Sequence, residues 1–306
     1  MKRKLLFLIF SASMISISSF SQDYVFKVLA NKGENTYKTA SGSSWEPLKT
    51  GTKLQSGDVI KTTGNCYLAL LSASGKPIEL KEAKEYNVND LKAQVGGSDD
   101  GIVSKYADFV MSKMSTEARE ENRKKYASIT GATERGSFQQ IKFFMPTSAN
   151  IYNSVAIIRW DPQDGAETYQ IVLKDWFDEV LMVAETKDSF FKVDFNDSRL
   201  EGMEMVIVNV SIKGDKDSNS GDYAIQRVNE SEAKEYTVEL NDLKSSLDAN
   251  SSISNLIMAE FYEQNDLLLD ALTSYEYAIN QSPDVEYFKE AYQEFLMRNG
   301  FSDKID

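Results

Sequence analysis

Apolar positions change their period several times along the chain, and each change marks a different kind of segment. From 24 to about 91, short apolar runs recur at 24–29, 54, 59–60, 67–71, 78–80 and 86–88. Turn residues separate them, among them Asn31 to Gly33, Ser56 to Asp58, Gly64-Asn65 and Ser74 to Pro77. Close turn spacing with alternation predicts a small all-β barrel or sandwich. The period then becomes helical. Ile102, Tyr106, Phe109, Val110 and Met114 share one face, and Glu120/Lys124 and Glu121/Lys125 sit four apart, so one or two helices are expected across 103–128. From Phe138 to about Val238 strand-like runs return at 155–160, 168–173, 180–183, 190–193, 205–212 and 223–226, which predicts an antiparallel β-sandwich. Three helical patterns close the chain. Ile253, Leu256, Ile257 and Phe261 mark the first; Leu268, Leu269, Leu272, Tyr275 and Ile279 the second; Phe288, Tyr292, Phe295 and Leu296 the third. Asn265-Asp266 is expected to cap the second, Pro283 to open the third, and Asn299-Gly300 to end it.

The fold class expected is therefore multidomain and mainly β. The division is 1–21, 22–98 (small β domain), 99–137 (helical connector), 138–245 (β-sandwich) and 246–306 (helical hairpin plus capping helix). Gly96 to Gly101 reads as a flexible joint. The first segment has a charged start, Lys2-Arg3-Lys4, a largely apolar run over 5–17, and a small-x-small pattern ending at Ser21 before Gln22. That is the pattern of a secretory signal peptide cleaved between Ser21 and Gln22, with export to the periplasm or cell surface as the expected location. No cysteine stands at the cut, which speaks against a lipoprotein anchor.

Charge and composition narrow the chemistry. The formal net charge is −13, and it is uneven. Residues 146–250 hold ten basic and twenty-one acidic groups, or −11, and residues 251–306 hold three and eleven, or −8. Nucleic-acid binding, which needs a basic face, is not expected, and basic protein partners are favoured. The chain has no histidine, which removes Ser-His-Asp and Cys-His catalysis and His-ligated zinc. Its one cysteine, Cys66, lies among Tyr67, Leu68, Leu70 and Leu71 and reads as a small buried residue.

Three stretches resemble known families. Leu48-Lys-Thr-Gly51-Thr-Lys-Leu54-Gln-Ser-Gly57-Asp58-Val-Ile60-Lys-Thr62, continued by 67–71, Gly75 and 78–80, resembles the FecR-like domain. The resemblance implies a β fold outside the cytoplasm, in sensory regulators or exported multidomain proteins. Ile157-Ile-Arg-Trp160, followed by Gly165-Ala166 and Tyr169, is similar to a fibronectin type III or immunoglobulin-like domain, which implies Trp160 between two sheets with Tyr169 beside it. Ala259, Tyr262, Ala271, Tyr275, Ala278 and Pro283 resemble one tetratricopeptide repeat, with Asn255 where that family usually has tryptophan.

Candidate chemistry is sparse. Asp215, Asp217, Asn219 and Asp222, in a loop with Gly221, alternate oxygen ligands in a manner that suits calcium; a polar hairpin turn explains the same residues. Trp176-Phe177, at a turn between two expected strands, is a candidate partner-binding pair, with packing over the sheet edge as the alternative. Trp45, Tyr37 and Tyr67 could line a carbohydrate or peptide surface, whereas Tyr262, Phe288, Tyr292 and Phe295 read as helix core. No cofactor and no catalytic residue is assigned. The expected function is a non-enzymatic scaffold or sensing accessory of the bacterial envelope. The alternatives are a surface carbohydrate- or ligand-binding protein and, last, a carboxylate-dependent hydrolase.

Overall fold

The longest unbroken apolar run in the first unit, residues 66–71, needs both its faces covered. A computed structural model, which describes residues 24–95, 101–130 and 141–301, shows how this is met. Residues 1–21, with Ser21 and Gln22 at the expected cleavage point, lie outside the described residues, as does the glycine joint apart from Gly101.

Strands β1 (Phe26–Lys32), β2 (Thr36–Lys38), β3 (Glu46–Pro47), β4 (Lys53–Leu54), β5 (Val59–Lys61), β6 (Tyr67–Ser72), β7 (Pro77–Leu80) and β8 (Glu85–Asn87) build two antiparallel sheets. Their orders are β4-β1-β6-β7 and β3-β2-β5-β8. Phe26, Val28, Leu54, Ile60, Leu68 and Leu70 meet between them. The other face of β1 and β6 presents Leu29, Ala30, Tyr67, Ala69 and Leu71, and these join the core of the helices. Every residue of β6 is buried, so its pattern is continuous rather than alternating. Gly57 sits at φ +89°, and a Cβ there would come within 2.9 Å of the Ala40 side chain, so only glycine fits this turn. Its neighbour Asp58 is buried and ties the turn down, accepting from the Gln55 N–H at 2.8 Å and the Ala40 N–H at 3.1 Å.

The second unit comprises β9 (Ser148–Ile151), β10 (Val155–Arg159), β11 (Tyr169–Lys174), β12 (Val180–Thr186), β13 (Phe190–Asp194), β14 (Met205–Ile212), β15 (Asp215–Asn219) and β16 (Tyr223–Arg227). A sheet ordered β12-β11-β14-β16-β9, with β15 attached to β14, faces the pair β10-β13. Trp160 is fully buried in the shared core, edge-on to Tyr169 at 5.3 Å and to Phe143 at 5.8 Å. The wholly antiparallel sheet expected is corrected at one place: β16 and β9 run parallel, because the chain enters this unit along the outer side of its last strand.

Helices α1 (Val88–Val95), α2 (Gly101–Lys113), α3 (Thr116–Thr130), α4 (Glu230–Ser246), α5 (Ser252–Gln264), α6 (Leu268–Gln281) and α7 (Glu286–Arg298) complete the molecule. The expectation of a mainly β chain is corrected to a mixed one, since among the described residues helix (35%) exceeds strand (30%). Two helices account for the difference. At 88–95 a strand was expected to end, but Val88 and Leu91 bury one helical face against the first β core. At 230–246 the strand reading extended too far. Asn229 accepts from the Ser231 and Glu232 N–H groups while Glu232 reaches back to the Asn229 N–H, a complete capping box. Asn265 and Asp266 end α5 rather than cap α6; Asn265 is the C-terminal cap and Asp266 has a φ of +57°. Pro283 lies between α6 and α7, ahead of the first turn it was expected to open. Gly300, at φ +73°, follows the Asn299 cap of α7.

One helical core links the two β units. α2 packs on α5 and α3 on α7, while α6 lies against β9 and β10 and α7 against β1. Among the described residues no helix is long and apolar enough to cross a membrane.

Candidate functional site

The hairpin joining β11 to β12 ends in a turn built by one aspartate. Asp175 Oδ1 accepts from the N–H groups of Phe177 and Glu179, both at 2.8 Å, and Asp178 takes a left-handed φ of +65°. The turn is therefore pinned by its own backbone, and it holds Trp176 and Phe177 outward, 69% and 87% exposed. Val180 and Val183 on β12, the outermost strand of its sheet, are also exposed. The rings thus stand at the tip of the hairpin and do not fold over the sheet edge.

The other sequence candidates fall differently. Asp215 turns onto its own hairpin, accepting from Ser218 Oγ at 2.8 Å and the Asp217 N–H at 3.0 Å, which holds its carboxyl below the usual range. Asn219 Oδ1 accepts from the Gly221 N–H, and Asp222 accepts from Asn209 Nδ2. Asp215, Asn219 and Asp222 thus each accept a hydrogen bond within the β14–β16 connection, and Asp217 contributes its N–H to Asp215; among the described residues no group of three or more acidic or cysteine side chains is placed to hold a metal ion. Tyr67 lines no surface: it is buried, and its ring stands edge-on to Phe288 at 5.5 Å. Trp45 is partly exposed beneath the ammonium groups of Lys38 and Lys61. Cys66 is buried. Tyr262, Phe288, Tyr292 and Phe295 are buried in the helical core.

Two carboxylates that sequence reasoning passed over join the units. Glu79, on β7, accepts from the Tyr67 hydroxyl at 2.6 Å, Ser251 Oγ at 2.7 Å and the Ile253 N–H at 3.0 Å, at the start of α5. Burial pushes its carboxyl up, but these hydrogen bonds and Lys81 outweigh it and leave it below the ordinary value. Asp270, on α6, accepts from the Tyr152 and Asn153 N–H groups at 2.7 and 2.9 Å and from Asn153 Nδ2 at 2.7 Å. Burial dominates here and pushes it up to about 6. One turn further along α6, Thr273 Oγ1 accepts from the Ile157 N–H, and Glu276 takes a two-pronged bond from Arg159 at 2.6 and 3.1 Å. The signal that could have found this seam is the polar stripe Asp270, Thr273, Glu276 on an otherwise apolar helix.

Beside that seam lies a cleft of about 460 Å³, open to solvent. The end of α4, the sides of α5 and α6, and the β9–β10 turn form its walls. Asn153 and Tyr262, joined by a 2.9 Å hydrogen bond, line it together with Ser254.

No protein-family model matches the chain, and no curated protein matches it.

Proposed function

We propose that the chain is a non-enzymatic exported protein that acts as a scaffold or sensing accessory in the bacterial cell envelope, and that it holds a partner through the β11–β12 tip. The carrying observation is the outward presentation of Trp176 and Phe177 on a turn fastened by Asp175. Large rings held in solvent at a rigid tip are apolar anchors of the kind that bury well in a partner's pocket. The surrounding segment, 146–250, carries −11, which favours a basic partner and supports electrostatic steering. Two features support the proposed family kinship. The Gly57-Asp58 turn of the FecR-like pattern has a clear structural use in this chain, and so has the Trp160–Tyr169 pair of the fibronectin-like one.

The test is crosslinking of the native exported protein followed by mass spectrometry, with Trp176→Ala/Phe177→Ala compared to wild type. Loss of the captured partner in the double variant, with an unchanged melting curve, is expected. Capture should also weaken with rising salt. Equal capture by the double variant refutes the tip as the docking point.

A further inference from the structure

The cleft supports an inference that stands independently of the tip. Its volume, about 460 Å³, lies within the roughly 300–1,000 Å³ typical of small-molecule sites, which gather at junctions between structural units. Ser254 lines the cleft, but the residue is 2% exposed and its Oγ is closed off from solvent. The Tyr262 hydroxyl accepts from Asn153, which leaves its proton to donate, and burial keeps that proton on. One hydroxyl donor thus lines the cleft. Lys244, an exposed cation in the last turn of α4, and Asp248 just beyond it place opposite charges at the rim. Val155, Leu247 and Met258 supply an apolar wall.

We infer that the cleft binds a short zwitterionic peptide bearing an apolar side chain. The peptide carboxylate meets Lys244 and the Tyr262 hydroxyl, the ammonium meets Asp248, and the side chain lies on the apolar wall. A simple anion is disfavoured by the −11 and −8 of the flanking segments, whereas a zwitterion brings no net charge to repel. A neutral sugar leaves both rim charges unanswered.

Calorimetric titration of the full chain with the dipeptide leucyl-leucine tests this. Saturable binding is expected, with Lys244→Glu weakening it about tenfold or more. Amidation of the dipeptide's carboxylate should weaken it to a similar degree, and Met258→Trp, which fills the cleft, should abolish it. If Met258→Trp lowers the melting temperature, the exposed Lys244→Glu change decides the matter. The proposal is overturned if wild type shows no saturable binding at millimolar dipeptide, if glucose binds equally well, or if neither the charge reversal nor the amide alters affinity.

Discussion

Glu79 and Asp270 hold the same kind of position, a carboxylate reaching across a seam to backbone N–H groups, and burial affects them in opposite balance. Glu79 collects four donors, and its carboxyl is held low. Its folded value lies below its unfolded one, so the unfolded state takes up the proton first on acidification. The stability it contributes is full at neutral pH and is lost as pH falls through the depressed folded value. Glu79→Ala should cost about 1–3 kcal/mol in urea unfolding at neutral pH, because the Tyr67 hydroxyl and Ile253 N–H lose a buried acceptor. Most of that difference from wild type should vanish in acid. Asp270 has the reverse sign. Its folded value, about 6, lies above the ordinary one near 3.8. Its contribution therefore declines as pH rises between the two and levels off above them. Asp270→Asn should remove that slope from the stability profile and speed hydrogen exchange at the Tyr152 and Asn153 amides.

At the scale of elements, α6 decides how the second β unit is held. Its polar stripe reads β10 residue by residue: Asp270 takes the turn before it, Thr273 takes Ile157, and Glu276 takes Arg159. Hydrogen bonds to a mostly buried charge are worth roughly 1.5–3 kcal/mol, and a double-mutant cycle isolates them. Arg159→Ala and Glu276→Ala should each destabilise the chain, and their combined cost should fall short of the sum by about 1–3 kcal/mol. Additive costs would show that the pair is ornamental. The elements themselves were legible to different degrees. β14 and β11 alternate buried and part-buried residues, and period two shows at once. The paired helices α5 and α6 are apolar on wide faces and equally plain. α1 and α4 were missed because their apolar faces are thin, two buried residues each, and their start signals are polar caps rather than hydrophobic periods. β2 and β3 were missed because strands of three and two residues are too short to show a period. The tip, Trp176-Phe177, was visible as a candidate; its outward direction was not, because Asp175's bonds to its own turn decide it.

At the scale of the whole molecule, the helices form a keystone between two β units. Buried ions strengthen it. Glu263 takes a two-pronged bond from Arg298 and meets Lys113 at 3.2 Å, and Lys113 also reaches the fully buried Glu260 at 2.7 Å. Burial pushes Glu263 up, but Arg298 and Lys113 more than offset it, whereas burial wins at Glu260 and leaves its carboxyl raised. The three charged residues that hold this cluster with Glu260 come from α2, α5 and α7. Removing residues 246–306 should therefore not leave two independent β units. It uncovers Leu29, Tyr67 and Leu71 on one side and the β10 face on the other. The truncated chain should bind a hydrophobic dye and unfold at lower urea than the full chain, and a truncated protein with unchanged stability would contradict the keystone.

Local physics determined much of this protein from the residues alone. Glycine at a left-handed turn, alternation in half-buried strands and wide apolar helix faces are properties of neighbours in the chain, and each leaves its period in the sequence. The tertiary structure alone decided why the run at 66–71 is apolar throughout, since its second cover is supplied by the helical core, with Phe288 of α7 against Tyr67. It also decided where Glu79, Asp270, Ser254 and Lys244 sit. A buried polar group is satisfied, or left waiting, by partners that only the packed chain brings near, and no spacing within a segment records that distance.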